Sequence, residues 1–468
     1  MREYDIVVIG AGPAGIFTAL EMQKCAPNAR LLVVDSGSAI DHRTCPARKL
    51  GHCVGCEPCG IMQGWAGAGA FSDGKLSLSE EVGGNLPDYM EREEVRKLIS
   101  YCDSQYLAFG APTLVHGLND PKVDEFKYEA SRYNIQLIPC PVRHMGTEYA
   151  FDVLKNMYDK LKDSDTFTFE EYTTCDDLII EDNKVVGCIL QKKEQEKEEI
   201  RAKYVVAAPG RAGAGWLTDV AQKYGISLLN NEVDIGVRVE VPNSVMDHLT
   251  RHLYEAKLVY YSDTFENKVR TFCMNPGGLV SEEHYDGHIA VVNGHSYADE
   301  SRHTENTNFA MLVSTKFTKP FDQPTDYGKY IAQLGNMLTG GGIMVQRLGD
   351  LLQGRRTDAS RLKKSTTVPT LTTAVPGDLS FVLPHRHLTS IIEAMKAFDN
   401  LAPGLYSKNT LLYGVEVKFY SSKVSVSDKF ETGIQNFFAI GDGAGITRGL
   451  MQASVTGVVV AREIAERL

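Results

Sequence analysis

The run Gly10-Ala11-Gly12-Pro13-Ala14-Gly15 fits G-x-G-x-x-G and stands between an apolar, β-branched segment, Tyr4–Ile9, and a segment of helical periodicity, Pro13–Cys25. No other feature narrows the folds open to this chain so far. Glycines at this spacing let a strand turn tightly into a helix, let the backbone approach a pyrophosphate, and let helix and strand pack closely. The helix N-terminus then offers unpaired N–H groups and partial positive charge to phosphate. Leu31–Val34 reads as a second buried strand, and Asp35 ends it about 20 positions beyond Gly15, where a carboxylate can accept ribose hydroxyls. Strand, glycine turn, helix, strand and acid together predict a Rossmann-type α/β unit. They place an adenine dinucleotide against Gly10, Gly12, Pro13, Ala14, Gly15, Asp35 and Ser36.

A second glycine run closes the chain. Phe437–Ile440 leads into Gly441-Asp442-Gly443-Ala444-Gly445, and Gly449-Leu450-Met451 opens a helical stretch. It resembles the second FAD motif of the glutathione reductase-like and hydroxylase-like flavoproteins. That resemblance implies that Asp442, between Gly441 and Gly443, bonds the ribityl and phosphate region. It also implies that the helix from Gly449, with Leu450 and Met451 in its first turn, aims N–H groups at the flavin N1–C2=O edge. Val205-Val206-Ala207-Ala208-Pro209-Gly210 resembles the middle motif of the same superfamily, with Pro209 and Gly210 at the cofactor. The cofactor expected is therefore FAD rather than NAD. No second strand–GxGxxG–helix unit lies between Gly210 and Gly441. NAD(P)H as reductant would have to bind transiently, and a protein electron carrier is the alternative.

The expected architecture is an α/β, glutathione reductase-like two-domain flavoprotein. Its FAD domain is split into 1–226 and 411–468 around an inserted, sheet-based substrate domain, 227–410, and 468 residues suffice for both cores. Helices are expected over Glu91–Phe109 and Tyr149–Leu161. Short strands turn at Asp182-Asn183, and the run Lys192–Lys197 forms a solvated hairpin tip. The 43% apolar and 23% charged content is ordinary for a globular chain, and a net charge of −11 argues against a nucleic-acid partner. There is no signal-peptide pattern and no apolar run of the ~18 residues that a membrane helix needs, so a cytoplasmic protein without a membrane span is expected.

Cys45, Cys53, Cys56 and Cys59 follow C-x7-C-x2-C-x2-C, a spacing that can bring thiolates to one ion. Three readings stand: a [4Fe-4S] cluster relaying electrons to the flavin, a redox pair at Cys53 and Cys56, or structural zinc or plain buried thiols. The other cysteines, Cys25, Cys102, Cys140, Cys175, Cys188 and Cys273, are scattered packing residues.

Beyond them come Gly64-Trp65-Ala66-Gly67-Ala68-Gly69-Ala70-Phe71-Ser72-Asp73-Gly74-Lys75-Leu76, then Gln346–Arg356 and Tyr413–Ser421. With these blocks the chain resembles, over its full length, the family of uncharacterised FAD-dependent dehydrogenases, and more distantly the geranylgeranyl reductase and hydroxylase-type flavoproteins. The resemblance implies that Gly67, Ala68, Gly69, Ser72, Asp73 and Gly74 line the cofactor and that Lys75 polarises the flavin N5 or C4=O. For Ser72, Asp73 and Lys75 a loop-stabilising hydrogen bond is the alternative. Lys418, Tyr420 and Arg448 are further candidates at the reacting end, with His385 and His387 by residue type alone. Arg347, Arg355, Arg356, Arg361, Lys363 and Lys364 suit an anionic small-molecule substrate or form a solvated basic face. Hydride transfer to or from a carbon substrate is the expected reaction, by C=C reduction or dehydrogenation. An electron-transfer flavoprotein and an FAD monooxygenase are the alternatives.

Overall fold

The computed structural model describes residues 2–46, 54–72, 74–285, 289–297, 299–321, 323–419 and 422–468. The chain divides into two compact units. Unit one comprises Met1–Leu114, Arg143–Asn231 and Tyr420–Leu468; unit two comprises Val115–Val142 and Glu232–Phe419.

In unit one the strand Arg2–Ile9 runs parallel to Leu31–Val34 on one side and to Lys197–Ala207 on the other. Phe167–Glu170 lies parallel beyond Leu31–Val34. Phe437–Ala439 pairs with the end of Lys197–Ala207, from Phe437↔Val205 to Ala439↔Ala207. The run Ile6-Val7-Val8 is wholly buried, as a strand covered on both faces of a parallel sheet requires. Thr173–Glu181 and Lys184–Lys192 extend the sheet antiparallel. They turn at Asp182 and Asn183, both at positive φ (49° and 60°), the mirror-image turn whose twist suits a hairpin. The charged tip falls between Lys192 and Lys197, as its composition predicts. The expected helices are present as Arg92–Ala108 and Gly146–Lys162.

Unit two is built on a largely antiparallel sheet. Its central strand Val233–Pro242 pairs with Asn306–Thr315 and with Leu411–Lys418. Strict alternation divides its faces. Val233, Ile235, Val237, Val239 and Val241 enter a core formed with the helices Asn243–Leu253, Pro324–Thr339 and His385–Phe398. Asp234, Arg238 and Glu240 fall on the other face, yet all three are buried. Apart from the short parallel pair of Met344–Arg347 with Val375–Pro376, the ladders of this sheet are antiparallel. That one parallel pair is joined through the short helices Leu348–Leu351 and Ala359–Lys363, and no G-x-G-x-x-G turn follows its first strand.

Unit two begins at Glu232 rather than at 227, and it departs from the expected 227–410 insertion at two further places. Leu411–Lys418 hydrogen-bonds into the second sheet, so that unit extends to Phe419 rather than ending at 410. Val115–Val142 also joins it, because Gln136–Ile138 forms its edge beside Lys257–Tyr261.

Candidate functional site

In unit one the three glycine motifs come together at the C-terminal ends of the parallel strands, where α/β sheets place ligands. Their glycines serve different purposes. A Cβ on Gly10 would lie 2.1 Å from the Ala208 carbonyl oxygen, and one on Gly15 would lie 2.0 Å from the Gly10 carbonyl oxygen. Both are consumed by packing. A Cβ on Gly12 would meet nothing within 4 Å. That open side is where the turn can receive a ligand. Gly443 sits against Pro209 and Gly210, its added Cβ 2.6 Å from the Gly210 carbonyl oxygen, and Gly441 faces Ala14 at 3.1 Å. Gly457 lets the C-terminal helix approach the first one, its added Cβ 2.2 Å from the Ala14 carbonyl oxygen.

Two helices of this unit begin at its first and last glycine motifs. Pro13–Cys25 follows Gly12, and Leu450–Arg467 follows Gly449. No described side chain caps either helix, and neither has an acidic residue in its first turn. Such ends favour anions and polar acceptors. An open Gly12, two uncapped helix ends and an adjoining carboxylate fit a flavin dinucleotide.

That carboxylate, Asp35, is already engaged. Its Oδ1 accepts the N–H groups of Gly37 at 2.9 Å and Gly64 at 2.7 Å, while Oδ2 accepts that of Ala11 at 2.9 Å. Two lone pairs per oxygen leave one acceptor position for a ribose hydroxyl. Ser36 Oγ accepts from Gln63 Nε2 at 3.0 Å. Asp442 accepts from Thr447 Oγ1 at 2.6 Å and lies 3.7 Å from Arg211 Nε.

The block after the cysteines lies against the first motif. The Ala66 N–H donates to the Ala11 carbonyl at 2.7 Å, and a Cβ on Gly67 would be 3.3 Å from the Gly12 Cα. Trp65 is wholly buried and donates through Nε1 to the Leu154 carbonyl at 3.2 Å. Gly69, one residue beyond Ala68, faces Leu450 and Pro13. Ser72 Oγ donates to the Gly69 carbonyl and accepts from the Gly74 N–H, the loop-stabilising alternative. Lys75 is half-buried on the strand Lys75–Ser77. The Arg448 N–H donates to the Gly83 carbonyl, and Met451 is buried one residue past Leu450. Asp73, Tyr420 and Cys53 lie outside the described residues.

Lys418 belongs to unit two, where its Nζ lies 3.2 Å from Glu416 Oε1 and 3.8 Å from Glu283 Oε2. Its charge is thus matched within its own unit. The basic stretch is likewise folded on itself. Arg355, Arg347 and Arg361 approach the buried Asp350 through Nε at 2.8, 3.7 and 3.9 Å. Arg347 and Arg361 also donate to carbonyls of that stretch. This arrangement braces Arg347, Arg355 and Arg361 within the segment. His387 is buried, and desolvation, reinforced by the charge of Arg386, lowers its pKa to about 4. At neutral pH it is the uncharged imidazole rather than the imidazolium acid.

Cys45, Cys56 and Cys59 carry free thiols. Among the described residues, no group of three or more His, Cys, Asp or Glu side chains is arranged to hold a metal ion. Nor is any described helix long and apolar enough to cross a membrane.

Two features escaped sequence reasoning. Arg43 is isolated in sequence and carries no local signal. The buried polar row Asp234, Arg238, Glu240 did have one, the alternation Val-Asp-Ile-Gly-Val-Arg-Val-Glu-Val, which marks a two-faced strand.

Fold and site define a FAD-binding protein with a Rossmann-type FAD-binding unit and a second, sheet-rich unit. Residues 131–232 match the family described as FAD binding domain, and residues 232–419 match FAD-dependent protein, C-terminal domain-like. A Clostridium beijerinckii relative, named only as an uncharacterized protein, is 25% identical over 484 residues, covering 98% of this chain and 80% of its own. Among solved structures, the E. coli quinol fumarate reductase FrdA is 14% identical with a TM-score of 0.42, covering 100% of this chain and 71% of that one. The L-proline dehydrogenase of P. horikoshii is 12% identical with a TM-score of 0.42, covering 100% and 94%.

Proposed function

We propose that this flavoprotein moves a hydride to or from a carbon substrate, reducing a C=C bond or carrying out the reverse dehydrogenation. Bound FAD supplies the two-electron chemistry. The chain's own residues hold and orient it. In this reading Gly12, Pro13 and the open helix end cradle the pyrophosphate, and Asp35 takes a ribose hydroxyl with its remaining lone pair. Asp442 and the helix end at Gly449 serve the ribityl and ring portions. Lys75 and Arg448 are the cationic groups of unit one assigned to the reacting end, and Tyr420 is kept as a candidate proton donor.

The observation that carries this reading is the convergence of three glycine motifs on one open turn, with no second nucleotide unit among the described residues. Unit two is assigned substrate recognition through its polar sheet face, where Lys418, Glu283 and Asn293 are linked. Since Lys418 is matched by carboxylates, an uncharged polar substrate suits that face better than an anion.

The test is anaerobic. FAD-loaded protein is reduced with dithionite and mixed with a panel of polarised alkenes, then separately with air. Reoxidation by an alkene, with one hydride and one proton added across the double bond, supports the proposal. Indifference to every alkene, together with rapid oxygen consumption and a hydroxylated product, would move the protein to the monooxygenase class.

A further inference from the structure

We propose that Arg43 is a positioning residue for the dinucleotide, fixing the backbone of residues 60–67 in the conformation that lies over Gly12 and thereby setting affinity for the pyrophosphate-bearing half of FAD. The inference rests on unit one holding FAD.

Arg43 is 5% exposed. A guanidinium has five N–H donors in a rigid fork, and here all five go to main-chain carbonyls. Nε donates to Gly60 at 3.1 Å; Nη2 donates to Gly60 at 3.0 Å and Ile61 at 2.6 Å; Nη1 donates to Trp65 and Gly67, both at 2.6 Å. No carboxylate is among these partners, although buried charges are normally paired. The Phe71 ring covers one side, its centroid 4.8 Å from Cζ.

Arg43 holds the carbonyls of Gly60, Ile61, Trp65 and Gly67, and three N–H groups of the same segment bond to the first turn and to the stretch that follows the second strand. Gly64 donates to Asp35 Oδ1 at 2.7 Å, Trp65 to the Ser38 carbonyl at 2.9 Å, and Ala66 to the Ala11 carbonyl at 2.7 Å. Ala66 sits at φ 72°, a left-handed conformation that a residue with a Cβ keeps only when its surroundings over-determine it. Gly67 follows at φ 53°, against Gly12. Arg43 is the side chain common to the carbonyl bonds on this segment. Lysine cannot replace it, having three donors on a flexible stem and no planar fork.

The experiment uses apoprotein titrated with FAD, ADP and riboflavin. Arg43→Lys and Arg43→Met should each bind FAD and ADP at least tenfold more weakly than wild type. Riboflavin, which lacks phosphate, should bind all three proteins alike. Low-millimolar guanidinium should restore ADP binding to Arg43→Ala, a rescue that a general packing defect would not show. Wild-type affinity of Arg43→Lys for ADP overturns the proposal, as does an equal loss for riboflavin. Hydrogen exchange on the wild type keeps the question decidable if the variants do not fold. The amides of Gly64, Trp65 and Ala66 must gain protection when ADP binds, and unchanged exchange at all three overturns the proposal. Failure of wild-type protein to bind FAD or ADP at all would instead remove the FAD assignment itself.

Discussion

Arg238 and Glu416 meet as a two-pronged ion pair, Nε to Oε2 at 2.8 Å and Nη2 to Oε1 at 2.9 Å, with both side chains wholly buried. Arg238 also donates to Asn308 Oδ1 at 2.8 Å, and Lys418 approaches the same carboxylate at 3.2 Å. A register shift between Gly236 and Arg238 lets the two strands bring these groups together. Glu416 is thus the shared counter-charge of two buried cations.

Removing that charge alone should be costly. Glu416→Gln leaves Arg238 and Lys418 under-compensated, and urea unfolding should show a loss of about 3–5 kcal/mol. Replacing Arg238 and Glu416 together by apolar residues of similar volume should cost less than the sum of the single changes. Burial alone would raise the Glu416 pKa, but the charges of Arg238 and Lys418 outweigh it and hold the carboxyl below its ordinary 4.5. A depressed carboxyl contributes stability that is complete above the unfolded pKa and is lost as pH falls through the folded one. Wild type should therefore lose stability more steeply than Glu416→Gln as pH drops below about 4.5. Parallel curves would show that the pair contributes nothing.

Among the glycines of the first turn, structural and ligand roles should separate cleanly. Gly15→Ala drives a methyl into the Gly10 carbonyl and should lower the apoprotein melting temperature. Gly12→Ala adds a methyl where nothing lies within 4 Å, at an unstrained φ of −75°. It should leave the apoprotein melting temperature nearly unchanged and weaken FAD binding by tenfold or more, the size expected when about 1.4 kcal/mol of cofactor contact is lost. FAD affinity equal to wild type would place the pyrophosphate elsewhere.

Asp35 offers a complementary test. Its carboxylate accepts three main-chain N–H bonds that join the first turn to the segment over it. Asparagine presents one oxygen and one N–H2 group, so at least one of those donors must face another donor. Asp35→Asn should weaken both FAD and ADP binding by more than tenfold, measured by flavin fluorescence and competition, given ~1.5–3 kcal/mol for a hydrogen bond to a charged group. An unchanged affinity would show that Asp35 is a loop brace with no part in binding.

What the sequence disclosed was local. The glycine turn, the hydrophobic strands beside it and the Asp182-Asn183 hairpin each carry their cause within a few residues, because backbone freedom and side-chain alternation are local properties. Gln136–Ile138 is different. Its membership of unit two depends on a partner strand, Lys257–Tyr261, far along the chain, and three residues carry no pattern that could announce it. Leu411–Lys418 misled for the same reason: it stands next in sequence to the C-terminal FAD motif but is paired with Val233–Pro242. Arg43 was silent because its partners are four carbonyls, which every residue has. A side chain that reads backbone shape leaves no trace in the identity of what it touches.

The acid side of the stability curve should also report His387. Its Nε2 lies 3.0 Å from Thr315 Oγ1, and its Nδ1 is buried with no hydrogen-bond partner among the described residues. Burial, then the charge of Arg386, brings its pKa from 6.5 to about 4. The unfolded chain takes up a proton on this ring as pH falls through 6.5, while the folded chain does not until about 4. Between those values the unfolded state binds more protons, so stability must fall with falling pH. The displacement corresponds to roughly 3 kcal/mol across that interval. His387→Gln removes the titration and should flatten the urea midpoint between pH 7 and 5 relative to wild type, whatever its effect at pH 7. A wild-type midpoint that does not change over this range would mean that the ring is charged in the folded protein, and would return His387 to the set of proton donors.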